Sequence, residues 1–140
     1  MRVDKGLVWN KVALIDVEGL LVNTRNGCVW SNWENPVSML REKLDNAQRD
    51  GAVKAVVIRI NSPGGTVQAS EAMYDQLQRF KRESRKPIVA CITNVGASGA
   101  YYIACAADKI VCQPSSITGS IGVIIQTVNF VGTMKLLGIK

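Results

Sequence analysis

One serine, two glycine-bearing turns and a handful of lysines carry the chemistry this sequence offers. Ser98 stands among small residues in "NVGASGA", at the start of what reads as a helix. There, unpaired N–H groups and the helix dipole favour negative charge. "RINSPGG" supplies a second turn, with Gly64 and Gly65 following an earlier strand. Acyl transfer needs a nucleophile, donors aimed at the developing oxyanion, and a base. Ser98 suits the first role, and the N–H groups of Gly65 and Gly99 suit the second, because glycine lets a substrate backbone approach without a Cβ in the way. The base is the difficulty. The chain has no histidine, so it cannot build a Ser-His-Asp triad. A lysine can serve instead if burial depresses its pKa toward neutrality. Taken singly, Pro-Gly-Gly is a common turn and a serine at a helix start is more often an N-cap. At the carboxyl ends of consecutive strands, where sites form in parallel sheets, the two turns together define a candidate site.

The elements that must position these turns are legible as alternating strands and helices. "KVALIDVEGLLV" reads as a buried strand followed by a turn or second strand. The loop "NTRNGCVWSNWENP" follows, with Asn26-Gly27 as a hairpin signal and Trp30 and Trp33 placed for the core or a partner. Asn35-Pro36 opens a helix along which Val37, Leu40, Leu44 and Ala47 recur at helical spacing. "AVKAVVIRI" predicts a strand buried on both faces and ending near Ile60. Ala69, Met73, Leu77 and Phe80 mark a second amphipathic helix after the turn "NSPGG". "PIVACIT" predicts a strand ending near Thr93, and "ASGAYYIACAA" a short helix. "KIVCQ" and "GSIGVIIQTV" predict further strands, before a last helix near Phe130 to Leu137. This order predicts an α/β layered fold.

Composition narrows the function classes. The 140 residues suit one domain, and 47% hydrophobic with 20% charged residues is the balance of a folded chain. No apolar run approaches the roughly 18 residues that span a bilayer, and the first ten residues hold no signal-peptide apolar region. The net charge of +6 gathers largely in "RFKRESRK", Arg79 to Lys86, before Pro87. Basic residues suit a helix C-terminus, and without interleaved aromatics the cluster predicts no nucleic-acid partner. Cys28, Cys91, Cys105 and Cys112 form no C-x-x-C pair. The last three sit in apolar contexts and read as buried thiols; no metal site and no cofactor are expected.

"RINSPGGTVQASEAMYDQL" followed by "ASGAYYIACAADKIVCQPSSITGSIGVI" resembles the signal peptide peptidase A family of serine proteases, whose fold is shared with Clp proteases and crotonases. The resemblance runs from about Lys11 to the end of a single peptidase domain, residues 1–140. It implies an α/β, Clp protease/crotonase-like fold of repeated β-β-α units with a mostly parallel sheet. It implies Ser98 as nucleophile, Gly65 and Gly99 as the oxyanion hole, and a serine–lysine dyad acting on hydrophobic peptides such as released signal peptides. The substrate groove it implies runs along Gly64, Gly119, Ser120, Ile121 and Gly122, with Thr118 and Ser120 as supporting hydroxyls or ordinary turn residues. Its members form ring oligomers and associate with membranes, so a homo-oligomer and a membrane-associated parent are expected, with this domain itself soluble. The family's lysine lies beyond "GIK", so the chain reads as a fragment lacking its base, with Lys109, Lys135 and Lys140 as poor substitutes. Gly96 and Ala100 stand where relatives more often have alanine and glycine. Alternatives of other kinds are a non-catalytic assembly domain, a phage capsid-maturation protease relative and a crotonase-like acyl-CoA enzyme.

Overall fold

The computed structural model describes residues 10–23, 35–125 and 129–138. The loop carrying Asn26-Gly27, Cys28, Trp30 and Trp33 lies outside the described residues, as does Lys140. The elements are β1 (Lys11–Leu21), α1 (Pro36–Arg49), β2 (Val53–Gly65), α2 (Val67–Ser84), β3 (Ile88–Ala97), α3 (Gly99–Ala104), β4 (Lys109–Cys112), β5 (Ile117–Gly119) and α4 (Val131–Leu136). Among the described residues every strand pairing is parallel: β1 with β2, β2 with β3, and β3 with β4 and then β5 along one edge. The first three strands alternate with single helices, and a β-β-α unit occurs once, as β4, β5 and α4.

The helices form as their spacing predicts. Asn35 caps α1, its side-chain oxygen accepting from the N–H of Val37 at 2.9 Å, and Val37, Leu40, Leu44 and Ala47 are buried. Thr66 caps α2 by accepting from Ala69 at 3.2 Å, and Ala69, Met73, Leu77 and Phe80 are buried. Two lysines of the basic stretch serve helix ends. Lys86 Nζ donates to the carbonyls of Ala47, Gln48 and Asp50 where α1 closes, and Lys81 Nζ donates to Ala106 O and pairs with Asp108 at 2.7 Å.

The core lies on one face of the sheet. Ala13, Ile15 and Val17 of β1, Val56, Ile58 and Ile60 of β2, and Ile88, Ala90 and Ile92 of β3 are buried under the helices. The alternate positions turn away: Val12 is 62% and Leu14 50% exposed, and Arg59 reaches Asp16 across the open face at 2.7 Å. The expectation that "AVKAVVIRI" is buried on both faces is therefore corrected, since the described helices cover one side only.

Three further expectations change. "NSPGG" does not leave the sheet as a turn after Ile60; β2 continues to Gly65, because β1 stays alongside it with Leu20 opposite Gly64 and Leu21 opposite Gly65. "GSIGVIIQTV" contributes no strand over Ser120–Ile125: Gly119 and Ser120 both take left-handed backbone, φ +86° and +49°, which turns the chain out of β5. Cys105 and Cys112 are exposed and Cys91 half-buried, since β4 lies at the sheet margin and Cys105 ends a six-residue helix.

Candidate active site

Ser98 occupies the junction between β3 and α3 with φ 52° and ψ −124°, a conformation that is neither helical nor extended. Two backbone bonds hold it there. Its N–H donates to the carbonyl of Gly119 at 2.7 Å, and its own carbonyl accepts from the N–H of Tyr102 at 3.0 Å. The Ser98 side chain makes no cap bond to α3, so the ordinary N-cap role for this serine is not the one it plays. Positive φ in a non-glycine residue costs of order 1–3 kcal/mol and persists only where neighbours over-determine it. The residue is half-buried at the mouth of the two turns.

The glycines explain how closely those turns meet. Gly64 has φ +97°, and a Cβ there would lie 2.8 Å from Gly99 N, 2.9 Å from Ala97 O and 3.0 Å from Ser98 Cβ. A Cβ on Gly65 would overlap the Leu21 carbonyl, and one on Gly99 would overlap Ser70 Oγ while sitting 3.6 Å from Gly65 N. The structure thus brings Gly64, Gly65, Ser98 and Gly99 together. Gly99 opens α3, so its N–H has no acceptor within the helix ladder.

β5 joins the site through register. Val95 lies opposite Ile117, Gly96 opposite Thr118 and Ala97 opposite Gly119. Of the expected groove residues, Gly64 is buried beneath the serine, Gly119 is half-buried, and Ser120, Ile121 and Gly122 are exposed. Beyond them Val123, Ile124 and Ile125 are also exposed, an apolar margin running on from Ser120. Thr118 and Ser120 are exposed and make no side-chain hydrogen bond among the described residues; Ser116 does the local tethering, its hydroxyl reaching Thr93 O at 2.6 Å. Ala100 sits in α3 without positive φ, so its methyl is unstrained, and a methyl at Gly96 would meet the side chain of Ile92 at 2.8 Å.

Among the described residues, Lys11, Lys54, Lys81, Lys86 and Lys109 are engaged or placed away from Ser98. Lys109 pairs with Val89 near the start of β3, eight residues before Ala97, which is roughly 26 Å at about 3.3 Å per residue. Lys11 is bound to Asp50, Lys54 to Gly51 O, and Lys81 and Lys86 hold helix ends. Lys135 lies in α4. Among the described residues, no group of three or more His, Cys, Asp or Glu side chains could hold a metal ion. No helix among them is long and apolar enough to cross a membrane.

Sequence reasoning missed Gly19, Ser62 and Ser70. Ser62 was in view inside "NSPGG", but its role depends on which strand lies beside it. Ser70 was hidden on the apolar face of α2, where it is 3% exposed and packs against Gly99.

A parallel sheet with a glycine turn set against a serine at a strand-to-helix junction defines the Clp protease/crotonase class. The fold matches a lysine-to-alanine mutant of the 1510-N membrane-bound stomatin-specific protease in complex with a substrate peptide, with TM-score 0.69 and 19% identity over 87% of this chain and 50% of that one. It also matches an enoyl-CoA hydratase/isomerase from Xanthobacter autotrophicus Py2, with TM-score 0.52 and 22% identity over 61% of this chain and 39% of that one. Residues 80–140 match the model of peptidase family S49. The chain is 32% identical to Protease 4 of Haemophilus influenzae over 99% of its length, and 41% identical to the chloroplastic serine protease SPPA of Arabidopsis thaliana over 61%. Its match to the S49 model over residues 80–140 and its likeness to these proteases place its similarity with the signal peptide peptidase A family. It spans 22% of the Haemophilus protein and 12% of the Arabidopsis one.

Proposed function

We propose that this chain is a serine endopeptidase domain whose nucleophile is Ser98 and whose substrates are hydrophobic peptides, such as signal peptides released into a membrane. The observation that carries the reading is the close approach of Gly64 and Gly65 to Ser98 and Gly99, with the serine held at positive φ and its side chain free of capping. Kinship with proteases of family S49 supports it.

In this reading Ser98 Oγ attacks the scissile carbonyl carbon as its proton passes to a base. The N–H groups of Gly65 and Gly99 bind the oxyanion of the tetrahedral intermediate. Collapse breaks the C–N bond, the proton goes to the leaving amine, and water then hydrolyses the acyl-serine ester. The base is a lysine, as the family resemblance implies, and no residue is assigned to it. An extended peptide lies along Gly119, Ser120, Ile121 and Gly122, pairing by its main chain and offering apolar side chains to the exposed isoleucines. A ring-shaped homo-oligomer and membrane association belong to the complete protein in the same reading.

The test is saturable hydrolysis of a hydrophobic p-nitrophenyl ester, an activated substrate that needs little help in expelling its leaving group. Turnover above background in this chain, lost in Ser98→Ala, is the expected result. Equal turnover in both would overturn the assignment.

A further inference from the structure

Two register breaks meet at one buried hydroxyl. Between Glu18–Asn61 and Leu20–Gly64 the β1–β2 ladder takes two steps on β1 against three on β2. Between Ile60–Ile92 and Ser62–Gly96 the β2–β3 ladder takes two steps on β2 against four on β3. Such breaks strand backbone donors and acceptors that buried structure must satisfy some other way. Ser62 is fully buried and supplies that other way. Its hydroxyl donates to the carbonyl of Gly19 at 2.6 Å and accepts from the N–H of Gly64 at 3.1 Å. Gly19 has φ +73° and Gly64 φ +97°, so the hydroxyl joins the two left-handed residues of adjacent strands.

We infer that Ser62 is a positioning residue that fixes the Gly64–Gly65 end of β2 against Ser98 by bridging Gly19 O and Gly64 N. The inference rests on the proposed peptidase reading for its consequence in catalysis, though the bridge itself does not. A Cβ on Gly64 would meet Gly99 N, Ala97 O and Ser98 Cβ at 2.8–3.0 Å, so the end of β2 lies close against the Ser98 junction. With the bridge present, the Gly65 N–H sits beside Gly99. Without it, Gly64 N–H must find a new acceptor and this end of β2 shifts. Misplacement of an oxyanion donor by about 1 Å lowers reactivity by about a hundredfold.

Two measurements on the 140-residue chain test this, with Ser62→Ala removing the hydroxyl and Ser62→Cys keeping a side chain of similar size with a weaker donor and acceptor. The first is amide NMR. Ser62→Ala is expected to move the Gly64 and Gly65 amide resonances and speed Gly64 hydrogen exchange at least about tenfold, leaving α1 amides in place, with Ser62→Cys between. The second is phosphonylation of Ser98 by a hydrophobic peptidyl phosphonate at alkaline pH. The maximal rate is expected to fall about tenfold to a hundredfold in Ser62→Ala and less in Ser62→Cys, with the half-saturating phosphonate concentration unchanged. Unmoved Gly64 and Gly65 amides would overturn the bridge. An unchanged rate, or a loss confined to half-saturation, would overturn its role in positioning. Loss of the folded spectrum in both variants would make Ser62 a folding residue and also overturn the inference. If the unmodified chain is not phosphonylated at Ser98, the nucleophile reading fails, and the amide shifts still decide the bridge.

Discussion

The N–H of Ser98 donates to the carbonyl of Gly119 at 2.7 Å, tying the strand-to-helix junction to the end of β5. One bond thus sets both the backbone of the candidate nucleophile and the edge along which a peptide is proposed to lie. Directly after it, Gly119 and Ser120 take consecutive left-handed conformations, which carry the chain away from the sheet.

Gly119→Ala isolates the backbone cost of that geometry. A Cβ at Gly119 meets nothing within 4 Å, but its φ of +86° disfavours any L side chain. The expected loss is about 1–2 kcal/mol, read as a lower urea midpoint with an unchanged slope.

Gly64→Ala adds steric overlap to the same backbone cost. The new methyl would sit 2.8–3.0 Å from Gly99 N, Ala97 O and Ser98 Cβ, and the first two are backbone atoms that cannot swing aside. The loss of stability is expected to exceed that of Gly119→Ala by at least ~1 kcal/mol, overpacking typically costing that much or more. Phosphonylation of Ser98 should disappear. Equal midpoints for the two variants would show that the turn has more room than its distances indicate.

Asp108 makes the fold sensitive to acid. The Lys81 ammonium and the Ile88 N–H, at 2.7 and 2.8 Å, hold its carboxyl below the ordinary carboxylate value of 3.8. A carboxyl depressed in the folded state binds its proton more readily when unfolded. It therefore contributes stability that is full above pH 3.8 and is lost as pH falls through the lower folded value. Asp108→Asn is expected to lower Tm at neutral pH and to flatten the fall in Tm below pH 4, about the unfolded carboxylate range. A variant with the parent's full acid dependence would contradict this.

Helix faces were legible because their burial is a local, periodic property. Leu40, Leu44, Met73, Leu77 and Phe80 all lie where their spacing predicts. The strand-to-helix junction at Ser98 was legible for the same reason, being a short run whose residue types have few uses. What could not be read depends on partners distant in sequence. Pro63 marks a turn by type, yet it stays in β2 because β1 runs beside it. Ser62 gains its role only from the register break at Gly19, 43 positions earlier. Val57 and Arg59 look equally suited to a doubly covered strand, and only the placement of the helices shows that their face is open. For Cys105 and Cys112, apolar neighbours suggested burial, but both lie at the margin of the sheet and are exposed.

Ser98 is proposed as a nucleophile seated against two glycine donors. This assignment is tested most directly by intact-protein mass spectrometry after incubation with a hydrophobic peptidyl phosphonate at alkaline pH, where hydroxide can take the serine proton in place of a side-chain base. One phosphonyl adduct, mapped by fragmentation to Ser98 and absent from Ser98→Ala, is the expected result. No adduct, or one that persists in Ser98→Ala, would contradict it.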